Sequence, residues 1–299
     1  MKRVLITGAG GFTGRYLARR LEEAGYEVHG TVHGDDDCSA PGRTQFHRVD
    51  IGDAAAVSRL LRDLVPDKLV HLAAISFVAH SDIAEMYRTN ILGTRNILDA
   101  LAAAPKAPTA AIIASSANVY GNAREGEIDE TARPAPINDY SVTKAAAEMV
   151  ASLYRERLPL IVVRPFNYTG RGQSQNFLIP KIVSHVRSGT EELELGNLDV
   201  ARDFSDVRTV VDAYARLLEN QDAIGGTFNV CSGRSTSLAE IIELVEAISG
   251  RKLRVRVNPA FVRSDEVKVL RGSPARVENV IGPLAKRPLE ETLRWMLED

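Results

Sequence analysis

The chain has 299 residues, 44% of them apolar, enough to bury the core of one large α/β unit or of two intimate smaller ones. Its 37 basic and 39 acidic residues leave a net charge of -2, which excludes a polybasic surface for nucleic acid or membrane and leaves any anionic ligand to local groups. Only Cys38 and Cys231 are present, too few and too far apart for a disulfide framework or a thiolate metal site, and no run of about 18 apolar residues reads as a membrane span, so a soluble cytoplasmic protein is expected.

Lys2 to Thr7 is a short apolar run that reads as a strand. A glycine cluster follows, then helical spacing from Tyr16 to Ala24. The pattern recurs with strands at Glu27 to Val32 and Gln45 to Val49, a helix at Ala54 to Leu64, a strand at Lys68 to Leu72 and a long helix from about Asp82 to Ala103. Thr109 to Ala114 reads as a strand, Tyr140 to Arg157 as a helix and Leu160 to Val163 as a strand. Strands alternating with helices imply right-handed crossovers and a parallel sheet covered on both faces. The expected fold is α/β, a Rossmann-type doubly wound parallel sheet with a smaller, partly discontinuous α/β substrate-binding cap. The dinucleotide-binding part is expected at 1–165, with 205–232 returning to it, and the cap at 166–204 and 233–299.

Gly8, Gly11 and Gly14 fall directly after the first strand and open the first helix. A tight turn there lets backbone approach a pyrophosphate, whose charge then meets the positive end of the helix. A dinucleotide is therefore expected. NAD binders commonly place an acidic side chain at the end of the second strand, whereas here that strand ends Gly30-Thr31-Val32-His33-Gly34. Asp35, Asp36 and Asp37 come later and read as solvated loop acids. Arg15 either faces a 2′-phosphate or lies solvated on the first helical turn. NADP(H) is the expected cofactor, with NAD(H) as the alternative. Asp50 and Ile51 are placed to flank an adenine, and Ala73 and Ala74 leave room for the cofactor backbone.

Tyr140 and Lys144 stand four residues apart, on one face of a helix. A phenol of pKa near ~10 is a poor acid at neutral pH, but a neighbouring ammonium stabilises the phenolate and brings proton transfer within reach. Ser115 and Ser116 lie at the carboxyl end of the fifth strand, where doubly wound sheets bind ligands. Ser116 is placed to hold a carbonyl oxygen that becomes negative as hydride arrives, while Tyr140 donates the proton. The six histidines show no ligand spacing, so no metal is expected.

Together, the Gly-x-x-Gly-x-x-Gly turn, the Ser116-Ala117-Asn118-Val119-Tyr120-Gly121 strand end and the Tyr-x-x-x-Lys helix resemble the extended short-chain dehydrogenase/reductases. The resemblance covers nearly the whole chain. It implies catalysis by Ser116, Tyr140 and Lys144, with Lys144 also holding the nicotinamide ribose. Asn90, in Thr89-Asn90-Ile91-Leu92-Gly93-Thr94, matches a helix that supports the active site, and Pro165-Phe166-Asn167 matches a segment beside the nicotinamide. Gly196 to Phe204 and Asn258 to Val267 resemble the GDP-mannose-type branch of the family, whose reductases act on GDP-4-keto-6-deoxy-mannose. There Arg202 and Arg263 would clamp the diphosphate and Glu266 would meet ribose or base. Where many relatives carry Gly-Trp-x-Pro, this chain has Gly282-Pro283-Leu284-Ala285, which touches packing of the cap more than chemistry.

The implied cofactor set is Gly8, Gly11, Phe12, Thr13, Gly14, Arg15, His33, Asp50, Ile51, Leu72, Ala73, Ala74, Asn90, Tyr140, Lys144 and Pro165. The implied substrate set is Ser76, Ser116, Asn118, Asn167, Asn176, Lys181, Arg202, Arg263 and Glu266. The expected reaction is reduction of the carbon-4 ketone of a GDP-linked 4-keto-6-deoxyhexose, giving GDP-D-rhamnose or GDP-6-deoxy-D-talose. Dehydratases of the family need an acidic pair after the active-site hydroxyl, where this chain has Ala117 and Asn118. Epimerases acting at carbon-4 need a retained NAD, against which the missing strand-end carboxylate argues. A rival of another class is a non-catalytic NADP sensor, which would need no proton donor. By analogy alone, the resemblance also implies a homodimer paired through the helices that begin near Asp82 and Tyr140.

Overall fold

The computed structural model describes residues 1–34, 42–78, 80–121, 126–190, 192–259 and 268–298. Its first half alternates strand and helix: β1 (Arg3–Thr7), α1 (Phe12–Glu23), β2 (Glu27–Val32), β3 (Gln45–Arg48), α2 (Ala54–Leu64) and β4 (Lys68–His71). The expected long helix follows as three abutting pieces, α3 (Ile83–Tyr87), one π-helical stretch (Arg88–Gly93) and α4 (Thr94–Ala103). Next come β5 (Ala110–Ala114), a 3-10 turn (Ala117–Tyr120), β6 (Glu127–Ile128), α5 (Asp139–Ser152), β7 (Leu160–Pro165) and β8 (Asn167–Thr169). Helix α5 ends five residues earlier than its periodicity suggests, because the chain leaves it in turns after Ser152.

The second half contributes α6 (Leu178–Ser188), β9 (Glu192–Leu195), β10 (Ala201–Asp206), α7 (Val207–Glu219), β11 (Thr227–Val230), β12 (Ser235–Ser237) and α8 (Leu238–Ser249). It ends with β13 (Arg254–Val257), β14 (Val269–Gly272), α9 (Ala275–Ile281) and α10 (Leu289–Leu297).

Seven parallel strands form the main sheet, in the order β11-β7-β5-β4-β1-β2-β3. Alternate side chains on each strand feed opposite cores, as the two-residue repeat of a strand requires. Val4 and Ile6 of β1 and Ile112 of β5 pack with Leu17 and Leu21 of α1 and Val210 of α7. On the other face Leu5, Leu69 and Ile113 pack with Leu61 of α2, Leu98 of α4 and Ala151 of α5. Strand β11 returns to the sheet edge beside β7, with Thr227 to Val230 in register with Val162 to Pro165. Strand order reverses between β1 and β4, which opens a crevice at the carboxyl ends of those strands.

A smaller layer stands over that crevice. Strands β12, β10, β14 and β6 form a second sheet, with β8 also paired to β10 and a separate β13-β9 ribbon beside it. Its apolar core is built by α6, α8 and α10 through Ile182, Ile241 and Leu293. Val277 of α9 and Leu284 instead pack in the main core beside α7, so the carboxyl-terminal segment contributes to both layers. Among the described residues no helix is long and apolar enough to cross a membrane.

Candidate active site

One cavity of about 1330 Å³ runs along the carboxyl edge of the main sheet and under the smaller layer. Its floor at one end is the glycine turn. Gly8 has a positive φ of +72°, and a Cβ there would lie 2.9 Å from Ala73 backbone. Gly14 lets α1 start against the turn, since a Cβ there would lie 2.4 Å from the Gly8 carbonyl oxygen. Only glycine fits these positions. No side chain caps α1, so its first N–H groups point into the cavity with the positive end of the helix behind them. That is a built cradle for a pyrophosphate.

Further along the wall lie His33, Asp50, Ile51, Leu72, Ala73, Ala74 and Pro165, all lining the cavity as the sequence implies. His33 Nε2 stands 4.0 Å from Asp50 Oδ2, and both side chains are more than half exposed. Asp50 thus supplies a carboxylate near the end of β2 from the neighbouring strand. Arg15 does not line the cavity: it is exposed, and its Nε donates to the Gly10 carbonyl at 2.8 Å. Asn90 is buried rather than cofactor-facing. Its Oδ1 accepts from Ile75 N at 2.8 Å, and its Nδ2 donates to Ile75 O at 3.0 Å and to Thr143 Oγ1 at 2.9 Å. It therefore ties the loop after β4 to α5 from within the π-helical stretch, which is a supporting role.

Ser116, Tyr140 and Lys144 all line the same cavity, with exposures of 8%, 7% and 7%. Asn138 and Ser141 form a capping box that starts α5, which sets Tyr140 in the first turn and Lys144 one turn later on the same face. Ser116 caps the 3-10 turn, its Oγ accepting from Asn118 N at 3.1 Å. Burial pushes the Tyr140 phenol above its ordinary pKa, opposed by a hydrogen bond with Ser116. Burial also lowers Lys144 to about 8, opposed by the charge of Glu148. Its Nζ donates to Ala114 O at 2.8 Å. The sequence-based expectation of a phenol made acidic by Lys144 alone is thus modified, because desolvation governs both groups and Tyr140 keeps its proton.

On the substrate side, Ser76, Asn118, Asn167, Asn176 and Arg202 line the cavity. Lys181 does not, and its ammonium donates to Glu194 O at 2.8 Å. Arg263 and Glu266 lie outside the described residues, as do Asp35, Asp36, Asp37 and Cys38. Sequence reasoning passed over Tyr168, Glu85, Arg88 and Phe177, which also line the cavity. Tyr168 shares a 2.7 Å hydrogen bond with Thr13 and stacks on Phe12 at 6.1 Å, joining the glycine turn to the smaller layer. Its place directly after Asn167 was the available signal. Among the described residues no group of three His, Cys, Asp or Glu could hold a metal ion.

The model of the GDP-mannose 4,6 dehydratase family matches residues 5–296. The chain belongs to the GDP-mannose 4,6-dehydratase family. Within this family's reach, the chain is 34% identical to a GDP-6-deoxy-D-talose 4-dehydrogenase of Aggregatibacter actinomycetemcomitans, over 94% of this chain and 91% of the relative. It is also 34% identical to a GDP-6-deoxy-D-mannose reductase of Pseudomonas aeruginosa, covering 100% of this chain and 97% of the relative. A solved structure of RMD from Pseudomonas aeruginosa complexed with NADPH superposes with a TM-score of 0.84 at 32% identity, covering 100% of this chain and 97% of that one. For a member of a family called after a dehydratase, Ala117 and Asn118 are notable, since neither side chain is an acid or a base.

Proposed function

We propose that this protein is an NADP(H)-dependent reductase of the carbon-4 ketone of a GDP-linked 4-keto-6-deoxyhexose, giving a GDP-6-deoxyhexose, either GDP-D-rhamnose or GDP-6-deoxy-D-talose. The observation that carries this reading is the meeting of Ser116, Tyr140 and Lys144 on one buried wall, in the same cavity as the glycine cradle. The residues present fit a dinucleotide: uncapped N–H groups at α1 for its pyrophosphate, Asp50 and Ile51 for the adenosine, and Lys144 for the second ribose. With Asp50 near a ribose hydroxyl, His33 is the group lining this end that suits a 2′-phosphate, and NAD(H) is the weaker cofactor. Residues 166–204 and 233–299 supply the substrate side, where Asn167, Asn176 and Arg202 suit sugar hydroxyls and diphosphate.

Bound NADPH supplies the hydride. Ser116 donates a hydrogen bond to the carbonyl oxygen, and Tyr140, protonated at neutral pH, gives its proton to that oxygen as negative charge grows there. Lys144 holds positive charge behind the phenolate left on Tyr140, which regains its proton from solvent. The burial of these three side chains strengthens each of these interactions. Ala117 and Asn118 offer no group to abstract a proton from carbon-5, which is the step a dehydration would need.

The protein works in the cytoplasm as a homodimer in this reading. Leu92 on the π-helical stretch, Met149 on α5 and Leu153 just after it are more than half exposed, apolar surface that a partner helix pair would cover. The test incubates protein, NADPH and GDP-4-keto-6-deoxy-mannose, follows loss of absorbance and resolves the product by NMR. Turnover is expected, with Tyr140→Phe losing at least about 100-fold in kcat while NADPH binding persists. Turnover only with a UDP or dTDP analogue would reassign the nucleotide, and a Tyr140→Phe protein with full activity would refute the proton donor.

A further inference from the structure

Helix α5 carries a third polar residue on the face that presents Tyr140 and Lys144. Glu148 stands one further turn along. Its Oε1 accepts hydrogen bonds from Ser115 Oγ and from Arg164 Nε, the latter at 2.9 Å, and its Oε2 accepts from Arg164 Nη2 at 2.6 Å. The pair is buried, with side-chain exposures of 8% for Arg164 and 13% for Glu148. Arg164 Nη1 donates to the Tyr120 hydroxyl at 2.9 Å, and Tyr120 donates to Asn229 Oδ1 at 2.8 Å. Apolar side chains of the same volume would pack these elements about as well as a buried ion pair does. Stability alone therefore does not account for placing two charges here.

The carboxylate end of the pair borders the reacting groups through Ser115. Ser115 precedes Ser116, and Ala114, whose carbonyl holds Lys144 Nζ, precedes Ser115. One carboxylate thus anchors the strand end that carries the hydroxyl and the ammonium's acceptor. We propose that Glu148, clamped by Arg164 and Ser115, is a positioning residue of the reduction, fixing the Ser116 strand end and setting a carboxylate one helical turn from Lys144. The inference rests on the reductase reading above.

The charges around Lys144 leave this role to Glu148. Desolvation drives Lys144 toward neutrality and Glu148 opposes it. His71 on β4 stays neutral, because burial and then Lys144 push its pKa to about 3. Arg164 on β7 and Tyr120 in the 3-10 turn belong to the clamp itself. On α4, Asp99 is engaged by Arg95 at 3.5 Å and by the Tyr154 hydroxyl. On α3, Glu85 meets His80 at 3.0 Å and Tyr87 donates to Asp139 at 3.0 Å, while Arg88 lines the cavity.

The test titrates Lys144 directly in ligand-free protein carrying 13Cε-labelled lysine, its resonance identified by loss in Lys144→Met. Glu148→Gln should move that titration down by about one pH unit, and Glu148→Asp should restore most of it. The basic limb of the kcat/KM profile should move in step, so that turnover at pH 8.5 falls roughly tenfold relative to pH 6.5. Ser115→Ala keeps the carboxylate and breaks its tie to the strand end: kcat should fall several-fold at unchanged KM, with the Lys144 titration in place. An unmoved lysine titration in Glu148→Gln overturns the electrostatic role, and an unchanged kcat in Ser115→Ala overturns the anchoring role even if the first variant fails to fold. A Lys144 titration that moves as stated in Glu148→Gln, with a wild-type protein that reduces none of the ketosugars, refutes the reductase reading instead.

Discussion

His71 lies under the active site without taking part in it. Its Nδ1 shares a 2.7 Å hydrogen bond with Thr7 and its Nε2 a 3.0 Å hydrogen bond with Thr94, joining β1, β4 and α4. Burial, then Lys144, hold its pKa near 3 against an ordinary 6.5. The unfolded imidazole binds a proton as pH falls through 6.5, whereas the folded one resists until about 3, so the unfolded state holds more protons in that window. Stability contributed by the neutral ring is full above 6.5 and is lost as pH falls toward 3. Urea midpoints measured from pH 7 to pH 4 should therefore decline, and His71→Asn should flatten the decline at a lower midpoint throughout.

At the scale of elements, the π-helical stretch is what turns Asn90 inward. A regular helix over the same residues would rotate that amide away from either Ile75 or Thr143, because one extra residue in a turn shifts every following side chain. Asn90→Ala leaves the half-buried Ile75 N–H and carbonyl, and the buried Thr143 hydroxyl, without this partner. A loss of about 2–4 kcal/mol in denaturant-derived stability is expected, with kcat reduced more than KM because the Ile75 loop and α5 both border the reacting groups. An equal-stability variant would show that solvent replaces these bonds. The helix was legible from periodicity between Asp82 and Ala103, but its irregular middle was not, since apolar spacing does not distinguish a single wide turn.

For the whole molecule, the π-helical stretch and α5 with its C-terminal end carry exposed apolar side chains among the described residues. Leu92, Met149 and Leu153 expose 53%, 67% and 71% of their surface, and Val142 36%. Sedimentation at micromolar concentration should show a dimer, and Met149→Glu combined with Leu153→Glu should give a folded monomer, as charges in such a contact are left unpaired. A dimer that survives both changes would place the interface elsewhere. The smaller layer is joined to the glycine turn by Thr13, Phe12 and Tyr168 and, behind them, by Tyr16 against Trp295 at 6.1 Å. Cofactor and substrate sides are therefore one packed unit.

Local chemistry settled much of this from the chain alone. Strand and helix periods fix which faces are apolar, a glycine-rich turn between β1 and α1 has few other uses, and four-residue spacing puts Tyr140 and Lys144 on one helical face whatever surrounds them. Contacts distant in sequence were decided only by folding: Glu148 reaching Arg164, Asn90 reaching Ile75, Asp50 standing beside His33 at the end of β2, and Lys181 turned onto Glu194 instead of the cavity. Protonation belongs to the same class, because desolvation depends on every atom packed around a group, and no spacing along the chain encodes how dry Tyr140 and Lys144 become.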